Sequence, residues 1–444
     1  MNSLKKEFPI LIKLALPLVI AGLVQSSVYF FETFYLAHVS KETLAASALV
    51  GWLFATMTAV LFGTLSSINV NVSHAFGAKD DASIATTIRD GFWLAALFSI
   101  PGVIIAWNIP PVFLWLGQTE GVVKLAQAYL HALAWGLLPN FILIAFLETV
   151  VGLGLSRVSM VFCMMIAGMM VVFSGVLIFG KCGFPALGIA GAGWGITVAN
   201  LIAMLLILVY LLMHKEVGRR FNKLFNFSGP SHIWELIKIG FPTGLMISVE
   251  VGFFLTLTLL MGRISSQMLA ANQIAMQYLG LLMSFVFAIS QAVTVRMGHL
   301  LGAKETQAAK SVAYAGVTLS VLFMFVIALV FWIYPDPLIA FDFNLHAPEN
   351  QEIIHDIKNL LIVSAIFQLF EAARLTLFGV LRALKDTRFT LIVSIISFWF
   401  VALPLGCFLA LTLQWGGTGL WWGMVAGAFI SLCMLYSRFQ VKMG

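Results

Sequence analysis

LIKIGFPTGLMISVEVGFFLTLTLLMGRISSQMLAANQIAMQYLGLLMSFVFAISQAVTVRMGHLLGAK, residues 236–304, has a partial copy 225 residues earlier in the same chain. Leu236-Ile237-Lys238 with Pro242 repeats Leu11-Ile12-Lys13 with Pro17, and Ser265 with Leu269-Ala270-Ala271 repeats Ser40 with Leu44-Ala45-Ala46. His299-x-x-Gly302-Ala303-Lys304 repeats His74-x-x-Gly77-Ala78-Lys79 at the same offset, so no gap is needed. Apolar matches alone could arise from composition, but the polar ending is hard to obtain by chance. The chain is read as an internal duplication.

Composition sets the class of both copies. With 444 residues, 61% hydrophobic and 10% charged, and a mean hydropathy of +1.00, there are too few polar groups to cover a soluble globule, and the chain reads as a membrane protein. The formal charge of +6 does not indicate a nucleic-acid binder, because the basic residues punctuate apolar runs instead of clustering. Cys163, Cys182, Cys407 and Cys433 are scattered without a Cys-x-x-Cys pair, which indicates neither a disulfide framework nor a structural metal site. Lys5-Lys6 before an apolar run imitates a signal peptide. Its repeat partner lies in mid-chain, so the run is expected to be a retained span.

Apolar runs long enough to cross a bilayer fall at 10–36, 44–73, 91–116, 126–150, 158–180 and 188–213, and again at 233–262, 268–298, 310–334, 357–382, 388–413 and 417–437. The expected fold is an all-α polytopic membrane protein of twelve transmembrane helices. Of the 25 Lys and Arg residues, nineteen fall at the termini and in every second loop, and five on the other side. This bias predicts that both termini are cytoplasmic. The basic segment KEVGRRFNKLFNFSGP, 215–230, is expected to link a lobe at 1–214 to a lobe at 231–444. Six spans return the chain to its starting side, so the six-helix lobes should be related by a pseudo-two-fold along the membrane normal. Gly188-x-x-Gly191-x-x-x-Gly195 recurs as Gly416-x-x-Gly419-x-x-x-Gly423, a pattern that suits close helix packing. The outward loop carrying Asp336, Asp342, Glu349, Glu352 and Asp356 reads as a solvated acidic surface.

Glu32, Glu148, Glu250, Glu371 and Arg374 lie inside expected spans, where a charge is costly and usually faces a bundle interior or a wet cavity. Glu250 is 12 residues from Lys238 and 13 from Arg263, on the order of 18–20 Å from either anchor at about 1.5 Å per residue. It sits near mid-bilayer. Glu371, 13 residues from Lys358 and 11 from Arg382, reaches a similar depth. The two can meet across one cavity as a site for a proton or a metal cation. Glu32, nine residues from Lys41, lies in the outer part of the first span, and Glu148 lies near the cytoplasmic end of the fourth, where snorkelling suffices. Arg374 follows Glu371 by three residues and shares its helix face; it either forms a structural ion pair or tunes the proton affinity of the carboxylate. Gln273 and Gln277, one turn apart, serve helix–helix hydrogen bonding or face the cavity.

Several pieces in order resemble the multidrug and toxic compound extrusion family, in its NorM-like branch: Pro17 through Gln25 to Glu32-Thr33, the run from Gly180 to Gly188, Gly240-Phe241-Pro242 leading to Glu250, Gly298-His299-x-x-Gly302, and Phe367-Gln368-Leu369-Phe370-Glu371 leading to Gly379-x-x-Arg382-x-x-x-Asp386-Thr387. The resemblance implies two lobes around a central cavity, alternating access, and efflux of organic cations in exchange for Na+ or H+, in a monomer of the bacterial inner membrane without a bound cofactor. By resemblance Glu250 and Glu371 are the cation-coupling residues, and Glu32 takes the place of a first-helix aspartate. Three departures stand out: glutamate for aspartate at 371, Phe367 where some relatives have a cation-contacting tyrosine, and the fixed charge of Arg374. Glu32, Phe367, Gln273 and Gln277 are the expected lining of the substrate cavity.

A lipid-linked oligosaccharide flippase would need several cationic groups in the cavity for a pyrophosphate, and only Arg374 lies at that depth. An intramembrane enzyme would need a nucleophile with a base or a metal cluster, which the eight histidines do not supply. No Gly-rich Lys-Ser/Thr loop indicates ATP. The expectation is a non-enzymatic antiporter.

Overall fold

The computed structural model describes residues 2–444 except 116, 215–217, 220–230, 341–343 and 346. The expected linker at 215–230 therefore lies outside the described residues apart from Gly218 and Arg219, as does Asp342 of the acidic loop. Among the described residues, twelve helices are long and apolar enough to cross a membrane: α1 Lys5–Ala37, α2 Lys41–Gly77, α3 Asp81–Asn108, α4 Glu120–Gly152, α5 Ser156–Phe179, α6 Ile189–Met213, α7 Ile233–Ile264, α8 Ser266–Gly302, α9 Thr306–Ile333, α10 Gln351–Ala383, α11 Thr387–Thr412 and α12 Gly416–Met443. The third ends earlier than hydropathy suggests. Pro110 and Pro111 cannot continue the hydrogen-bond ladder of α3 and open a separate short helix, Pro110–Trp115.

The repeated motifs build the same local structures. Ser40 and Ser265 are both extended N-caps, at φ −165° and ψ 162° or 158°, whose hydroxyls accept from the Thr43 and Met268 amides at 3.0 and 2.9 Å. Each caps an otherwise unpaired amide of the first turn. At the other end, Lys79 and Lys304 adopt φ +55° and +64°, while Asp80 N donates to Ala75 O and Glu305 N to Leu300 O at 2.9 and 2.8 Å. This left-handed closure satisfies the last carbonyls of α2 and α8.

Packing divides the chain into two compact units, Pro17–Gly244, and Met1–Leu16 with Leu245–Gly444. These bounds differ from the expected 1–214 and 231–444 lobes, because the leading turns of α1 and α7 each pack away from the rest of their own repeat. In the C-terminal unit, Leu11 and Ala15 are buried among Val293, Met297 and Leu300, and Glu7 accepts both Nε and Nη2 of Arg296 at 2.8 and 3.0 Å. In the N-terminal unit, Leu236 is buried with Ile84 and Ile88, and Asp90 Oδ2 accepts from Ser231 Oγ and His232 N at 3.1 and 2.5 Å. Gly240 and Gly244 let α7 approach the α2 backbone at Thr64 and Val60, where a Cβ would clash.

The core of the N-terminal unit is built on α4, with Leu137, Phe141 and Phe146 fully buried; that of the C-terminal unit is built on α10, with Leu360, Leu361 and Phe367 fully buried. The glycine patterns act as expected. A Cβ on Gly195 would stand 2.5 Å from Ser174 N, and one on Gly419 2.6 Å from Ala410 N, so α5–α6 and α11–α12 touch through backbone. In the acidic loop, Asp336 pairs with Lys358 at 2.5 Å and Asp356 accepts from Gln267 at 2.8 Å.

Candidate functional site

Three helices of the C-terminal unit converge on one guanidinium. Glu371 and Arg374 lie three residues apart on α10, where side chains share a face. Arg374 donates through Nε to Glu371 Oε2 at 2.8 Å and through Nη2 to Glu371 Oε1 at 2.6 Å. From α7, Glu250 accepts Nη1 on Oε1 at 2.8 Å and Nη2 on Oε2 at 3.1 Å. All four carboxylate oxygens thus face the same planar fork, a bidentate match on both sides that suits arginine and not lysine. The side chains of Arg374, Glu371 and Glu250 are 1%, 6% and 13% exposed.

α11 completes the surround. Ser394 Oγ donates to Glu250 Oε1 at 2.7 Å, and the Phe398 ring lies 4.9 Å from the Arg374 guanidinium carbon, within cation–π range. Immediately after Ser394 the helix widens into a π-helical stretch, Ile395–Ala402, a rare backbone form often found at functional sites. Trp399 Nε1 in that stretch donates to Val249 O at 3.1 Å, which ties α11 to α7 beside Glu250. Two carboxylates and one guanidinium leave one formal negative charge in an apolar setting. Such a group holds together through complete hydrogen bonding, because an unpaired charge there would be costly.

The structure therefore brings Glu250, Glu371 and Arg374 together, and it places the other candidates elsewhere. Phe367 is fully buried and meets the Trp421 ring edge-on at 6.0 Å; Trp421 in turn donates to Asn272 at 3.0 Å. In place of the cavity lining expected of it, Phe367 is a packing residue of the C-terminal core. Gln273 and Gln277 are exposed on α8, and neither has a hydrogen-bond partner among the described residues. Glu32, half-buried on α1 in the N-terminal unit, likewise has no hydrogen-bond or ion-pair partner there. Glu148 does not snorkel: it is 4% exposed and accepts from Asn69 Nδ2 at 2.5 Å, because the end of α4 is enclosed by its own unit. Sequence reasoning missed Ser394 and Phe398. A serine and an aromatic four residues apart in an apolar helix carry no signal until the carboxylate and guanidinium they meet are known.

The sequence pattern of the MatE family matches residues 17–177 and 242–408, covering both repeats. A protein of Synechocystis sp. described as probable multidrug resistance protein NorM is 30% identical, over 100% of this chain and 96% of its own length. A protein of Pseudomonas aeruginosa with the same description is 29% identical, over 98% and 90%. Among solved structures, the outward-facing conformation of a multidrug resistance MATE family transporter superposes with a TM-score of 0.87 at 16% identity, covering 98% of this chain and 96% of that one. A eukaryotic MATE transporter superposes at 0.82 and 18% identity, covering 99% and 98%. Matched in both halves by the family pattern and aligned end to end with NorM proteins, this multi-pass chain belongs to the multidrug and toxic compound extrusion family, in its NorM-like branch.

Proposed function

We propose that the protein is a secondary multidrug exporter that moves organic cationic or amphiphilic compounds across the bacterial inner membrane by alternating access, in exchange for Na+ or H+. It acts as a monomer with cytoplasmic termini and needs no cofactor. The full-length likeness to proteins described as multidrug resistance NorM supports the substrate class. The observation that carries the coupling is the meeting of Glu250 and Glu371 on one buried arginine. A charge cluster at that depth is costly, and ionisable groups so placed commonly mark an ion or substrate path. One charge moving down 100 mV supplies about 2.3 kcal/mol, enough to drive export without a nucleotide. The cluster carries one net negative charge, so it can accept a single coupling cation or the cation of the substrate, and mutual exclusion of the two gives exchange.

Expression in a drug-sensitive bacterial strain tests the reading. Cells carrying the native chain should accumulate several-fold less of a fluorescent organic cation than cells carrying Glu250→Gln, with both proteins present in the membrane at equal levels. Equal accumulation in native, mutant and empty-vector cells, across several organic cations, would contradict it.

A further inference from the structure

The point between the Glu250 and Glu371 carboxylates is occupied by a positive charge that belongs to the chain itself. We propose that Arg374 is a tethered cation that sets the ion selectivity of this site: it keeps free metal cations such as sodium out, and neutralising residue 374 converts the carboxylate pair into a metal-cation site. The inference deepens the coupling role proposed for Glu250 and Glu371, but its binding claim can be tested without transport.

Hard cations bind by gathering several oxygens around one point. Here the four oxygens that would do so already accept from Nε, Nη1 and Nη2 at 2.6–3.1 Å. A metal ion at the same point would overlap the guanidinium. The hydroxyl of Ser394, 3.5 Å from Arg374 Nη1, is committed to Glu250 Oε1 at 2.7 Å. Arg374 is also held in place, being 1% exposed with Phe398 across its face at 4.9 Å. The charge left over on the cluster is a single negative one, which a proton or an ammonium group can offset without entering the point between the carboxylates. Without the guanidinium, two carboxylates and a hydroxyl would face a largely buried space with a formal charge of minus two. Burial of that charge is costly unless protons or a cation offset it, and the gathered oxygens are the donor set a hard cation takes.

The test is binding of radiolabelled sodium to purified full-length protein, together with thermal unfolding in sodium against choline salts. The native protein should show no saturable sodium binding at the cluster and the same melting temperature in both salts. Arg374→Gln should bind sodium in a saturable manner and melt several degrees higher in sodium than in choline, because a ligand specific to the folded state raises its stability. Arg374→Gln with Glu371→Gln should lose that gain. Sodium binding by the native protein that disappears in Glu250→Gln would overturn the inference, as would a folded Arg374→Gln variant with no gain. If Arg374→Gln does not fold in either salt, the native and Glu250→Gln measurements decide alone: sodium binding that depends on Glu250 overturns the inference, and its absence upholds the exclusion. A failure of the exporter reading would be separately visible, as unchanged accumulation of organic cations in cells.

Discussion

Arg374 makes four charge-assisted hydrogen bonds to two carboxylates while nearly sealed from solvent. Removing it leaves both acids buried without a positive partner, Glu250 keeping only the Ser394 hydroxyl, which costs about 3–5 kcal/mol. Arg374→Ala should therefore unfold well below the native protein in sodium-free detergent. Ser394→Ala removes one hydrogen bond to a charged group, a loss of roughly 1.5–3 kcal/mol, and should melt between the two. Thermal unfolding of the three proteins side by side checks the order; an Arg374→Ala protein as stable as the native one would mean that the ion pairs contribute nothing to the fold. At this scale the sequence was legible where charge stood out against an apolar background. Glu250, Glu371 and Arg374 could be picked from their depth, and a meeting of the two acids and a Glu371–Arg374 pair were expected, but that one guanidinium holds both carboxylates was not, because α7 and α10 meet through residues more than 100 positions apart. Phe367 misled for the opposite reason. An aromatic ring one turn before Glu371 fits a cavity wall or a core equally well, and the Trp421 ring that decides the matter is far away in sequence.

Elements were most readable where short polar signals fix backbone geometry locally. The serine caps of α2 and α8 and the Gly-Ala-Lys closures at their ends repeat within ten degrees and tenths of an ångström, since each depends only on four to six neighbouring residues. The π-helical stretch of α11 was invisible, because Ile395–Ala402, apolar but for Ser397, has the composition of any membrane helix and an inserted residue changes none of it. Glycine patterns are an intermediate case, readable as packing but silent about the partner. Gly423 is now seen to face Ala402 O and, at 2.5 Å for an added Cβ, Gly406 Cα, whereas Gly168 has open space within 4 Å. Gly423→Ala should force α11 and α12 apart at roughly 1–3 kcal/mol and lower the yield of monodisperse protein. Gly168→Ala should leave the yield unchanged or raise it, since alanine is the better helix former. Equal yields from the two variants would show that the close approach at Gly423 is not needed.

For the whole molecule, duplication was evident from sequence but the bounds of the compact units were not. Covalent order suggested a break at the linker. The buried positions of Leu11 and Leu236, repeat partners 225 residues apart, show that the leading turns of α1 and α7 are each anchored in the other repeat's unit. The anchors are charged as well as apolar: Glu7 with Arg296 in one unit, Asp90 with Ser231 and His232 in the other. Hydropathy could not reveal this, because it reads the length of a span and not what the span packs against. The functional proposal places coupling in the C-terminal unit at Glu250 and Glu371, with Arg374 excluding sodium. The most direct measurement is efflux of a fluorescent organic cation from proteoliposomes driven by a proton gradient alone or a sodium gradient alone, for the native protein, Glu250→Gln and Glu371→Gln. Export driven by protons and not by sodium, and lost in both variants, is the expected result. Native rates in both glutamine variants would contradict it and move the coupling site away from this cluster.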